Sequence, residues 1–196
     1  MDDTVRADRA IAELTRRKWD GAKRQLQDGD AATALRLLKD VKKEIRKSDM
    51  LDLLEVECMG STGKPEDREL ALKQSRDLLS RRGLSTSPRL LLLRAKLLYK
   101  DGNLGQATNH LSMAMRYDPD NTRARTMLRL LRSLEAKREA GNTAFKAGHS
   151  NKAVAAYTEA IDMEPDSVSY RARLLANRAA AHIKGKDFRS AAADCG

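Results

Sequence analysis

Residues Lys137 to Pro165 read KREAGNTAFKAGHSNKAVAAYTEAIDMEP, and this stretch settles the fold class. It divides into two short helices that face each other. In the first, Ala140, Gly141, Ala144 and Phe145 share one face. Gly148 stops that helix, because glycine tolerates the left-handed turn that closes it. In the second, Ala153, Tyr157 and Ala160 recur at helical spacing, with Val154 and Ile161 beside them. Pro165 forbids continuation, and Asp166 and Ser167 suit the exit turn. Small residues at Gly141, Ala153 and Ala160 let two backbones approach closely, and Phe145 and Tyr157 fill the remaining space.

The same spacing recurs upstream. Leu91, Ala95 and Leu98 precede a turn at Gly102; Ala107, Leu111 and Ala114 follow it, and Pro119 ends the unit. Ala107 to Pro119 and Ala153 to Pro165 both span twelve residues, so the two units share one register. The pattern resembles the 34-residue tetratricopeptide helix–turn–helix. A first repeat pairs a helix from residue 3 to about 27 (Ile11, Leu14, Trp19, Ala22, Leu26) with one from Ala31 to about Lys47 (Ala34, Leu38, Val41). The part before about Arg16 is a lead-in helix. A second, less regular repeat pairs Leu51 to Met59 with Pro65 to about Ser80, with Leu70, Ala71, Ser75 and Leu79 inward.

Between Pro119 and Pro165 lie 46 residues, twelve more than one repeat, and Thr122 to Ala147 holds no proline and only Gly141. A single helix over that span is expected, lengthened by roughly 18 Å at 1.5 Å per residue. A further helix runs from Arg171 to Lys184, with Leu174, Leu175, Ala179 and Ile183 along it. Ala191 follows Ala153 by 38 residues, so four are inserted near Val168 to Arg171. Asp187 caps a last helix beginning at Phe188. The expected architecture is an all-α tetratricopeptide solenoid of about five repeats, the last cut at Gly196. Its expected division is residues 1–121, holding three repeats, and residues 122–196, holding the long shared helix and an incomplete second domain. The sequence reads as a piece of a longer protein.

Composition agrees. Aromatic residues are 4% of 196, so Ala and Leu carry the packing. The longest apolar run, Leu90 to Leu93, is far too short to span a bilayer. No secretory leader is visible, and Cys58 and Cys195 have no CxxC pairing, which points to a reducing cytoplasmic compartment, with the nucleus as a second location. Both cysteines read as buried small hydrophobes. The charge of +10 comes from 38 basic and 28 acidic residues. No stacking platform or nucleic-acid motif accompanies it. His110, His149 and His182 fall in three repeats without catalytic context, and no phosphate loop or metal-ligand spacing appears. An enzyme, a cofactor and a metal are not expected.

The residues suited to binding are polar. Arg138 and Asn142 are four apart and share a helix face. Asn142 follows the packing glycine and is expected to point away from the partner helix. Asn177 holds the matching face of the next first helix. A guanidinium and two carboxamides together suit a carboxylate. Arg138-Glu139-Ala140-Gly141-Asn142-Thr143-Ala144-Phe145 and Ala176-Asn177-Arg178-Ala179-Ala180-Ala181 resemble the carboxylate-clamp tetratricopeptide domains of co-chaperones. Tyr117 to Asn142 is similar to the tetratricopeptide J-domain co-chaperone family. The resemblance implies binding of the Glu-Glu-Val-Asp tails of heat-shock protein 70 and heat-shock protein 90. It implies clamp roles for Arg138, Asn142 and Asn177, where most members carry Lys at the first position, and neighbouring roles for Phe145, Ala180 and Lys184. It also implies a J domain, whose His-Pro-Asp does not occur in this sequence. The rival reading is a scaffold whose basic first lobe, through Arg123, Arg125 and Arg129, takes acidic or folded partners. The bland reading of Gly141 and Asn142 is a packing glycine followed by a solvated amide.

Overall fold

The structure, a computed structural model, describes residues 3–45, 47–163 and 166–196, with side chains from residue 9 onward. Pro165, expected to end a helix, lies outside the described residues, as does Met1. Ten helices and no strand occur among the described residues. They form two compact units, Met1–Ser85 and Thr86–Gly196.

The first unit holds α1 (Asp3–Gln27), α2 (Ala31–Glu44), α3 (Asp49–Ser61) and α4 (Pro65–Leu79). Each helix packs on the next, and α1 also meets α3. Its core is Ala22, Ala34, Leu38, Val41, Leu51, Leu54 and Cys58, with Trp19 and Leu26 partly buried against it. Burial pushes the Cys58 thiol up to about 12. Cys195, expected to be buried, is exposed near the end of the last helix. In α4 the inward stripe is Ala71, Ser75 and Leu78. Leu70 is exposed and Leu79 only half-buried, because the i, i+4, i+7 stripe that meets α3 runs through the neighbouring positions. Ile11 and Leu14, on the lead-in part of α1, are exposed as well.

The second unit holds α5 (Pro88–Lys100), α6 (Leu104–Tyr117), α7 (Thr122–Lys146), α8 (Ser150–Asp162), α9 (Val168–Lys184) and α10 (Phe188–Cys195). The uninterrupted 25-residue α7 matches the expected long helix. It lies against both α6 and α8. Repeat three therefore belongs with the second unit, and the observed division at 85/86 differs from the expected one at 121/122. A boundary at 121/122 would part α6 from α7 and α5 from α9, which pack on each other, so the units divide at the Ser80–Ser87 connection instead. A cross-link adds to this: the buried Ser167 hydroxyl donates to the Tyr99 carbonyl oxygen at 2.7 Å.

Helix α9 starts three residues before the expected Arg171. Ser167 accepts from the Tyr170 amide at 3.3 Å, and this cap gives the four inserted residues one extra turn. Ile183 is exposed, although Ala179 one turn before it is buried together with Tyr170, Leu174 and Ala181. Asp187 caps α10 as expected, accepting from the Ser190 amide at 3.1 Å.

Candidate functional site

The second half of α7 and α9 are the first helices of successive repeats, and their facing sides form a groove. Gly141 sets the spacing. A Cβ built on it would lie 2.5–2.9 Å from the Tyr157 ring of α8, so only glycine lets that ring close over α7. The ring carries its hydroxyl to the next residue. Tyr157 Oη donates to Asn142 Oδ1 at 2.8 Å, and Asn142 Nδ2 donates to Glu139 at 3.1 Å. Asn142 is therefore turned toward the partner helix, contrary to the expectation, because a buried tyrosine needs a partner for its hydroxyl. Its amide reaches a ligand only beside that bond or in place of it.

Arg138 and Asn177 come together. With Glu135, Tyr170, Arg173 and the α5–α6 turn they line a polar cavity of about 560 Å³. Asn142 is one turn along α7 and does not line it. Glu135 grips Arg138 with both oxygens, at 3.2 Å from Nε and 2.5 Å from Nη2. That hydrogen bond, against the opposing effect of burial, raises the guanidinium's affinity for its proton, so it is a fixed cation. An incoming carboxylate must compete with Glu135 for it.

Phe145 and Lys184 meet at the other end of α7. Lys184 donates to the Phe145 carbonyl oxygen at 2.7 Å, and its ammonium stands 4.6 Å from the ring centroid. A cation there satisfies an orphan carbonyl and opposes the negative end of the helix dipole. Ala180 is exposed on α9.

Two arginines were missed. Arg173 lines the cavity and donates to the Gly102 carbonyl oxygen. Gly102 has φ +82°, and a Cβ there would collide with the Arg173 guanidinium. The signal was present: Arg138 and Asn142 are spaced as Arg173 and Asn177 are, so both first helices carry Arg-x-x-x-Asn. Arg178 holds Asp194 of α10 at 2.8 and 2.5 Å and Thr158 of α8 at 3.0 Å. It ties three helices together.

The first unit repeats this backbone plan. Asp3, Ala31 and Asp49 start α1, α2 and α3, each 119 residues before Thr122, Ser150 and Val168. At that offset Trp19, Lys23 and Cys58 stand where Arg138, Asn142 and Asn177 do. A groove of about 590 Å³ in the first unit includes three corresponding positions, Arg16, Trp19 and Leu51, and is otherwise lined largely by Ile11, Val41, Ile45 and Met50. It holds one arginine, Arg16, beside Glu44, and no asparagine lines it.

No family model matches the chain. DnaJ homolog subfamily C member 7 of Mus musculus is 33% identical over 143 residues, 73% of this chain. Its Homo sapiens counterpart is 33% identical over 144 residues, also 73% of this chain. The chain is a tetratricopeptide-repeat relative of DnaJ homolog subfamily C member 7. It spans 28% of the length of those two relatives. A Dictyostelium discoideum homologue is 33% identical over 57% of this chain and 21% of its own length. Among solved structures, the P58(IPK) TPR domain superimposes with a TM-score of 0.70 at 16% identity, covering 97% of this chain and 52% of that one. The TPR2AB-domain:pHSP90-complex of yeast Sti1 gives 0.50 at 18%, covering 94% and 76%. At those identities the structures show the tetratricopeptide fold alone.

Proposed function

We propose that the chain is the tetratricopeptide part of a co-chaperone adaptor, and that its α7–α9 groove binds the acidic Glu-Glu-Val-Asp tails of heat-shock protein 70 and heat-shock protein 90 in extended form. The adaptor passes clients between the two chaperones in the cytoplasm and also in the nucleus. The carrying observation is the single cavity that gathers Arg138, Arg173 and Asn177. Two guanidinium groups there offer paired donors to carboxylates, and Asn177 offers a donor and an acceptor to a peptide backbone. Asn142 adds its amide one turn further along. Kinship with DnaJ homolog subfamily C member 7 supports a chaperone setting, as does a fold shared with a tetratricopeptide chain solved with pHSP90.

The test is fluorescence anisotropy of a labelled peptide ending in Glu-Glu-Val-Asp, titrated with the chain. Removing charge-assisted bonds through Arg138→Ala or Asn177→Ala is expected to weaken binding by about tenfold. Asn142→Ala is expected to weaken it less, since that amide is shared with Tyr157. A C-terminally amidated peptide is expected to lose most of its affinity. Unchanged affinity in all three variants sinks the proposal.

A further inference from the structure

The positive charge is concentrated around the arginines that the sequence singles out, but that stretch belongs to the second unit and not to the first. Residues 1–85 carry 19 basic and 17 acidic side chains. Residues 86–133 carry nine basic and three acidic, a net +6. The basic stretch is α5, α6 and the first half of α7, all within the second unit. Residues of α5 and α7, with Asp166 from the turn before α9, enclose a second cavity of about 530 Å³, separate from the Arg138 groove. Its floor is Tyr99, Met127 and Leu130, and its rim carries three cations, Lys96, Lys100 and Arg123, against one carboxylate, Asp166.

Helix spacing separates this rim from the rest of the basic stretch. Arg123, Met127 and Leu130 fall on one stripe of α7 at i, i+4 and i+7. Arg125, Arg129 and Arg132 form another, two residues on and roughly 200° round the axis at 100° per residue. Arg125 is also engaged locally, donating to the Pro119 carbonyl oxygen at 2.5 Å. Lys96 and Arg123 have no ion-pair partner among the described residues. An apolar floor under a cationic rim fits a chain with carboxylates flanking an apolar side chain. It does not suit single-stranded nucleic acid, which needs exposed aromatic faces for stacking; Tyr99 is only 6% exposed.

We infer that the α5–α7 groove is a second peptide site, for an internal acidic segment carrying aliphatic side chains, and that it works independently of the chain-end site on α7 and α9. Electrostatic attraction by the rim brings the segment in, and burial of its aliphatic side chains against Met127 and Leu130 holds it. No free C-terminus is required, since Arg138 and Asn177 take no part.

The probe is a fluorescein-labelled peptide, Asp-Glu-Leu-Glu-Asp-Leu-Glu-Glu, with an amidated C-terminus, titrated against the full chain. Lys96→Glu, Arg123→Glu and Met127→Glu are each expected to weaken binding by about tenfold, through charge reversal or loss of the apolar contact. Arg129→Glu, with the same charge change on the other stripe, and Asn177→Ala are expected to change it less than about twofold. Replacing both peptide leucines by serine is expected to cost about tenfold. Lys96 is exposed, so its variant remains informative should Met127→Glu fail to fold. Equal losses in Arg123→Glu and Arg129→Glu, or equal binding of the serine peptide, overturn the inference in favour of diffuse charge. Displacement of the peptide by an equimolar uridine oligonucleotide overturns it in favour of nucleic acid.

Discussion

The α1–α3 groove of the first unit and the α7–α9 groove of the second rest on one backbone plan and present opposite chemistry. Helix starts agree at a constant offset of 119 residues, and Ser48 and Ser167 cap corresponding helices in the same way. The packing beneath also corresponds, by exchange of volume. Ala22 lies in the core with Leu38, whereas Gly141 lies under the larger Tyr157. The larger ring brings a hydroxyl, and the hydroxyl engages Asn142. At the groove surface Trp19 stands for Arg138, and within the core Cys58 stands for Asn177. The lesson is that the repeat specifies where a groove lies, while a handful of surface positions specify what it accepts.

Three experiments can break or sharpen this contrast, and the spectroscopy favours them. The one tryptophan, Trp19, lies in the first unit, and all four tyrosines lie in the second. Tryptophan fluorescence and tyrosine near-ultraviolet dichroism therefore follow the two units separately in the intact chain.

The largest effect is expected from Arg178→Met, which installs the residue found at the matching position, Met59. It strands the Asp194 carboxylate, whose side chain is only 6% exposed. Breaking such a partly buried, hydrogen-bonded pair costs about 3 kcal/mol. The tyrosine-monitored transition is expected to fall while that of Trp19 stays in place; an unchanged tyrosine transition would remove Arg178 from its three-helix role. A smaller loss, about 2 kcal/mol from overpacking, is expected for Gly141→Ala. The double variant Gly141→Ala, Tyr157→Leu reproduces the Ala22–Leu38 pair and is expected to recover most of that loss. Failure to recover would show that the two units do not share their packing.

The smallest effect concerns acid. His110 accepts from Arg94 Nε at 3.2 Å, and burial, aided by the Arg94 charge, lowers its pKa below the ordinary 6.5. Its neutral form is the one the fold prefers, so its contribution is complete above pH 6.5 and is lost as pH falls below that value. No histidine precedes His110, so the first unit has no such group. Its perturbed carboxylates act lower. Asp40 is held down to about 2 by Lys18 and then Lys43. Asp52 is resisted by burial, yet Lys42 and Arg81 hold it below 3.8. Between pH 7.5 and 5.5 the tyrosine transition is expected to drop by about 3 °C and the tryptophan transition to stay level. The His110→Gln variant is expected to abolish the drop, and a drop that survives it would acquit His110.

Much of the architecture could be read in one dimension. Glycines at the turns, prolines at helix starts and alanines at the contacts encode local backbone needs, and these are short-range. The 122–147 helix followed from the absence of any breaker. Arg138 and Asn177 sharing a groove followed from helical spacing. Other features depended on distant partners. Asn142 was misdirected because the reach of the Tyr157 hydroxyl depends on how closely two helices approach. The early start of α9 was missed although its cap residue was visible, because an insertion of one turn leaves the stripe in phase. Arg173 was missed although its spacing repeats that of Arg138.

The residue string alone committed this protein to paired helices of tetratricopeptide type, since caps, breakers and periodicity act within a few residues of one another. Only the folded chain decided which repeats share a core, which arginines face a cavity and which brace helices, and where the basic surface lies. Those outcomes depend on side chains separated by tens of residues meeting across a helix contact, and no local pattern records such a meeting.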